Sequence, residues 1–201
     1  MGISALVLAA VLASANMPPT EGPFEGEVVM NNRIQGMEVE IRFLIRGPRM
    51  RVEMAGMKDP ITLVDVEKRE ALSLDVKRRA YVATALAAPR TLQDARGIAE
   101  RTGNGVVAGH TCEEWVARSG PEVYRIWALG GVVYSPHPWL GTPTGDLAVF
   151  DFLRSRNLFP LKLVQEDKAG QTRIAWEAVR MERKTLDPSL FELPKGYQRA
   201  K

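Results

Sequence analysis

The chain has 201 residues, 45% of them hydrophobic and 25% charged, with 27 Lys and Arg against 24 Asp and Glu for a formal net charge of +3. This composition describes a single globular domain, too apolar for intrinsic disorder, and excludes collagen-like, coiled-coil and disulfide-scaffold classes. The charges are unevenly placed, since none precedes Glu21.

Residues 3–12 read ISALVLAAVL and are followed by Ala13-Ser14-Ala15 and Asn16. An apolar run of this length ahead of an A-x-A site is the pattern of a secretory signal peptide. It is too short to span a bilayer, which takes roughly 20 apolar residues. The expected organisation is an export signal over 1–15, cleaved near Ala15, a Pro-rich linker over 16–23 with Pro18, Pro19 and Pro23, and a domain over 24–197. The expected location is periplasmic or secreted, with no transmembrane anchor in the mature chain. Cys112 is the single cysteine, so no internal disulfide forms and the core alone must stabilise the exported domain.

Beyond the prolines the dominant period is two. Residues 24–31 form a first strand. Met37, Val39, Ile41, Phe43 and Ile45 then alternate with Glu38, Glu40, Arg42 and Leu44, a strand with one apolar and one mostly charged face. Met50, Val52 and Met54 alternate with Arg49, Arg51 and Glu53 after the Gly47-Pro48 turn. Residues 61–66, 71–75 and 79–84 complete a run of six strands with short turns. Thr91 and Asp94 resemble a capping box, and Leu92, Ala95 and Ile98 share a helical face before Gly103, which predicts a short helix. Strands resume at 105–118 and 121–129 around the hairpin signal Ser119-Gly120.

Residues 135–145 hold three of the 13 prolines and form an irregular loop carrying Trp139. A second helix starts at Thr144 or Asp146, with Leu147, Phe150 and Leu153 at a spacing of three and Asn157 as its stop. Strands over 161–167 and 171–183 and a tail from Asp187 close the chain. About ten strands and two modest helices cannot make a flat covered sheet, so the sheet must curl around the helices. The expected class is mainly β (α+β): a single strongly curved antiparallel sheet forming a half-barrel, with two or so short helices on the concave face.

The segments FEGEVVM, RMRVEMAG, TGNGVVAGHTCEEWVARSGPEVYRIWAL and LDPSLFELPKGYQ together resemble the DUF4412 family, within the LolA/LolB/LppX group of periplasmic lipoprotein-carrier-like proteins. The resemblance runs from about Phe24 to Tyr197. Its most specific pieces are Gly109-His110-Thr111-Cys112-Glu113-Glu114-Trp115 and the closing Phe191-Glu192-Leu193-Pro194-Lys195-Gly196-Tyr197. His110 stands where an aromatic residue is usual. The resemblance implies the half-barrel and, more weakly, binding of acyl chains on its concave face.

Catalytic signatures are absent: the chain has no GxSxG, P-loop, GxGxxG or HExxH pattern. His110, Cys112 and Glu114 fall on one face of a strand, but three residues on one strand cannot surround a metal ion. The reading is of a non-enzyme without metal or cofactor. Lys77-Arg78-Arg79 is the only basic triplet; it reads as a hairpin turn or solvated strand end, or as a contact for anionic lipid or a polyanion, with no nucleic-acid motif beside it. Met30, Met37, Met50 and Met54, with Val39, Ile41, Phe43 and Val52, make one continuous apolar face, and adaptable methionines suit irregular apolar ligands. Phe150 and Leu153 from the second helix and Trp139 from the loop are the other candidate contacts. The expected partner is a lipid or acylated protein, with peripheral membrane contact. The alternative is an envelope protein-interaction module in which that face is simply core and another envelope protein is the partner.

Overall fold

The computed structural model describes residues 23–34, 37–55, 61–86, 99–119, 122–133, 147–166, 169 and 171–200. The expected signal peptide, the linker up to residue 22, the Pro-rich loop with Trp139, and residues 91–98 of the first expected helix lie outside the described residues. Among the described residues the strands are β1 (Glu25–Ile34), β2 (Met37–Arg46), β3 (Arg49–Met54), β4 (Ile61–Asp65), β5 (Glu70–Asp75), β6 (Ala80–Ala85), β7 (Ala99–Val107), β8 (His110–Ser119), β9 (Glu122–Gly130), β10 (Leu158–Glu166), β11 (Thr172–Arg183) and β12 (Gln198–Arg199). The α-helix α1 spans Leu147–Ser155.

All twelve strands belong to one sheet in the order β12-β6-β5-β4-β3-β2-β1-β11-β10-β9-β8-β7. Two antiparallel meanders, β1 to β6 and β7 to β11, meet at the seam where β1 pairs with β11. The sheet is mainly β as expected and does not close, since β7 and β12 end the order.

Two contacts measure its curvature. β2 and β10 stand three strands apart, about 14 Å on a flat sheet. The rings of Phe43 and Phe159 on these strands nevertheless meet edge to face, with centroids 5.5 Å apart. His110 in β8 makes a 3.2 Å hydrogen bond from its ring Nε2 to the carbonyl oxygen of Met181 in β11, again three strands away. Register shifts at Val29/Met30, Leu163/Val164 and Pro160/Lys162 lie in β1 and β10. Such bulges bend a strand and increase its twist, and they also accommodate Pro160 within a central strand.

The structure corrects the sequence expectations at three places. Residues 99–103, read as the end of a helix, are the start of β7. Residues 105–118, read as one strand, are two: Ala108 and Gly109 have φ of 48° and 80° and make a two-residue turn between β7 and β8. Such a turn places both central residues in the left-handed region. One α-helix, α1, is found among the described residues, and residues 91–98 of the other expected helix lie outside them. The tail from Asp187 holds a 3₁₀ turn, Pro188–Phe191, capped by the Asp187 side chain accepting from Ser189 N, and then β12, which pairs parallel with β6. The sheet is thus antiparallel apart from this last pair. Asn157, by contrast, ends α1 as read, with a φ of 50°.

The main core fills the concave side, where Val28, Ile45, Ile126, Leu153, Phe159 and Leu161 are fully buried. A smaller cluster of Leu44, Leu186 and Phe191 lies on the opposite face, where the C-terminal segment crosses β2 and β3. Arg46 Nη1 donates to Leu186 O at 3.3 Å and Arg51 Nη1 to Leu190 O at 3.2 Å, while Leu186 N donates to Glu25 Oε1 at 2.7 Å. The segment then reaches the far edge, where Gln198 N donates to Arg79 O and Ala200 N to Tyr81 O.

Candidate ligand face

Alternation along β2 and β3 turns every second side chain inward. Val39, Ile41, Phe43, Met50 and Val52, with Met30 of β1, therefore share the concave side with Phe150 and Leu153 of α1, all in one cluster. Each is under one-tenth exposed, Val39 the most at 8% and Met50 only 1%. Met54 is half-buried against the same cluster. Met37 belongs to β2 by its backbone, but its side chain lies outside the described residues, as does Trp139.

The opposite wall of this face was not named from the sequence. It is formed by Trp115, Tyr124, Ile126, Phe159, Leu163 and Trp176 from β8 to β11. Alternation of Tyr124, Ile126 and Ala128 was the available signal. The α1 aromatics bridge to this wall: Phe152 meets Trp115 at 5.0 Å between ring centroids and Phe150 meets Trp176 at 5.8 Å. Arg156 lies 5.5 Å over the Trp115 ring. Trp115 Nε1 donates to Glu113 Oε2 at 3.0 Å, whereas the buried Trp176 Nε1 and Thr62 Oγ1 have no hydrogen-bond partner among the described residues. Trp127 packs half-buried against the core beneath the Lys162 ammonium, 5.5 Å from its ring centre.

Cys112 is buried, its Sγ donating to His110 O at 3.3 Å. Burial pushes its thiol pKa up, against a smaller lowering from a backbone hydrogen bond at Val107. Among the described residues, no three His, Cys, Asp or Glu side chains come together in a way that could hold a metal ion. A strongly built charge cluster stands on the outer face, where Glu27, 3% exposed, is bound by Arg42, Arg180 and Lys184. Its basic partners occupy its acceptor oxygens, which makes it a structural ion cluster.

Fold and face together define an open, strongly curved single-sheet domain with an apolar interior stoppered by a short helix. The chain belongs to the DUF4412 family, a domain of unknown function, whose model matches residues 24–197. An uncharacterized conserved protein from Thermus thermophilus has a similar structure, with a TM-score of 0.53 and 15% identity over 87% of this chain and 88% of that one. MucB is similar with a TM-score of 0.50 and 10% identity over 88% of this chain and 58% of its own, so this chain spans less than two thirds of MucB. The Pseudomonas aeruginosa MucA/MucB complex gives a TM-score of 0.47 and 12% identity over 85% of this chain and 55% of that one. None of the curated proteins compared matches the sequence. No helix among the described residues is long and apolar enough to cross a membrane.

Proposed function

We propose that the chain is a non-catalytic binding module of the cell envelope, exported to the periplasm or secreted, that takes the apolar part of a lipid or an acylated protein on its concave face. The observation carrying this reading is that, among the described residues, the continuous apolar face of a large open sheet has one nine-residue helix, α1, as its helical cover. Val149, Phe150, Phe152 and Leu153 are the buried residues of that cover. Exposing four such side chains costs about 6–12 kcal/mol, at roughly 1.5–3 kcal/mol each. An acyl chain of about 8–15 carbons returns the same amount, at about 0.8 kcal/mol per buried methylene. A ligand of that size can therefore replace α1, and a much smaller one cannot.

A second reading is favoured by a specific contact. Phe43 packs on Phe159 in the middle of the face, so the domain's own side chains fill it there, as in a protein-interaction module with an ordinary core. One titration separates the two. Trp115 and Trp176 touch the α1 aromatics, so their fluorescence reports movement of the helix. Saturable emission change with an acylated peptide, and none with the same peptide unacylated, supports the acyl-binding reading. No saturable change with the acylated peptide or with phospholipid leaves the filled-core module.

A further inference from the structure

We propose that the outer corner made by the β5–β6 turn and the C-terminal strand β12 docks on an anionic membrane surface, independently of what the concave face holds. The turn is Val76-Lys77-Arg78-Arg79, and all four residues are exposed. In the sequence this basic triplet stands alone. The fold adds to it, because the parallel register sets Gln198 against Ala80 and Arg199 against Tyr81. The 2.9 Å bond from Gln198 N to Arg79 O and the 2.8 Å bond from Ala200 N to Tyr81 O hold that register. Arg199 and the preceding Lys195, both exposed, are thereby carried alongside β6, the strand that begins just after the triplet.

Lys77, Arg78, Arg79, Lys195 and Arg199 therefore come together from stretches of chain far apart in the sequence. Asp75 is the acidic residue of the turn. Its Oδ1 accepts from Arg78 N at 2.9 Å and fixes the turn, and its Oδ2 lies 3.7 Å from Arg78 Nε. That arginine side chain is 84% exposed, and so open a pair leaves its charge available to an anionic surface. Interleaved with the cations are Val76, 40% exposed, and Tyr81 and Tyr197, both half-buried. An exposed aliphatic side chain and tyrosines with an apolar body and polar tip suit the boundary between headgroups and acyl chains. Nucleic acid would instead call for exposed rings on which bases stack, so the mixed chemistry selects the lipid surface.

The test is co-sedimentation of the full chain with vesicles of phosphatidylcholine alone and of equal parts phosphatidylcholine and phosphatidylglycerol. Binding is expected on the anionic vesicles only, weakening as salt rises. Each Lys or Arg near an anionic surface contributes about fivefold to partitioning, so K77Q/R78Q is expected to weaken binding about 25-fold. K195Q/R199Q should do the same, although it is remote in sequence. K68Q/R118Q removes the same net charge elsewhere and is expected to leave binding within about twofold of the loss from net charge alone, well short of either corner variant. Circular dichroism verifies that each variant is folded. Equal binding to both vesicle types, equal loss in all three double variants, or binding to an oligonucleotide but not to anionic vesicles would overturn the proposal.

Discussion

Glu27 offers the sharpest test of the electrostatic reasoning. It is 3% exposed at the centre of the seam, with Arg42 Nε 2.5 Å and Arg180 Nη2 3.3 Å from Oε1 and Lys184 Nζ bound to Oε2. Glu27→Gln keeps the shape, removes the charge and leaves three cations around one amide. Severing a fully buried ion pair costs about 3–5 kcal/mol. The three partners here are 33–58% exposed, so water takes over part of their solvation, and the expected loss at pH 7 is about 1–3 kcal/mol. Burial opposes ionisation of Glu27, but hydrogen bonds from Lys184 and Arg42 and their attraction outweigh it and hold its pKa below the ordinary 4.5. A lowered carboxyl pKa stabilises the fold fully above the unfolded value and loses that contribution as pH falls through the folded one. The gap between the native chain and Glu27→Gln should therefore be widest near neutrality and close in acid, where both side chains are neutral. Urea unfolding at pH 7 and again well below the ordinary carboxyl pKa measures it. A gap under about 0.5 kcal/mol at pH 7, or one that persists unchanged in acid, would refute the reasoning.

Three further outcomes follow from the packing. Phe159→Ala removes a fully buried ring and its contact with Phe43 and is expected to cost about 3–5 kcal/mol in guanidinium unfolding; a loss below about 1 kcal/mol would mean the centre of the face is not packed. Ala108 occupies a left-handed conformation at φ 48°, so Ala108→Asn, which makes an Asn-Gly turn, should stabilise by about 0.5–1 kcal/mol and raise the melting midpoint. A lowered midpoint would contradict the turn. The buried Cys112, with its raised pKa, should react with a thiol reagent far more slowly in the native chain than in denaturant, and equal rates would count against its burial.

The legible part of the fold was the part with one dry and one wet face. Strict alternation in β2 and β3 placed Ile41, Phe43 and Met50 inward, and the structure buries all three. Asn157 was legible for a local reason, since it is among the few residues that accept a left-handed stop. The β7–β8 turn was hidden because its first left-handed residue is alanine, which carries no turn signal, and the apolar run therefore continued through it. β4 was legible as a strand but not as a two-sided one: the adjacent Leu63 and Val64 point to opposite faces and are both buried. The C-terminal crossing was illegible for a different reason. Its polar contacts include backbone carbonyls taken up by Arg46 and Arg51, and these depend on distance in space rather than on any pattern along the chain. On the concave face, the β1 to β3 side was readable as one apolar surface, whereas the β8 to β11 wall that completes it exists only once the sheet has curled.

The β1–β11 seam also has a consequence for how the molecule is made. Each meander forms from neighbours in the sequence, but the strands that unite them lie near the two ends of the domain. Closing so long a loop is entropically slow, and chains rich in such distant pairings fold over milliseconds to seconds rather than microseconds. Until β11 has been synthesised, β1 presents an unpaired strand edge to any other chain nearby. Assembly is therefore a last-step event, and a chain truncated before residue 172 would be an aggregation-prone half rather than a smaller version of the whole.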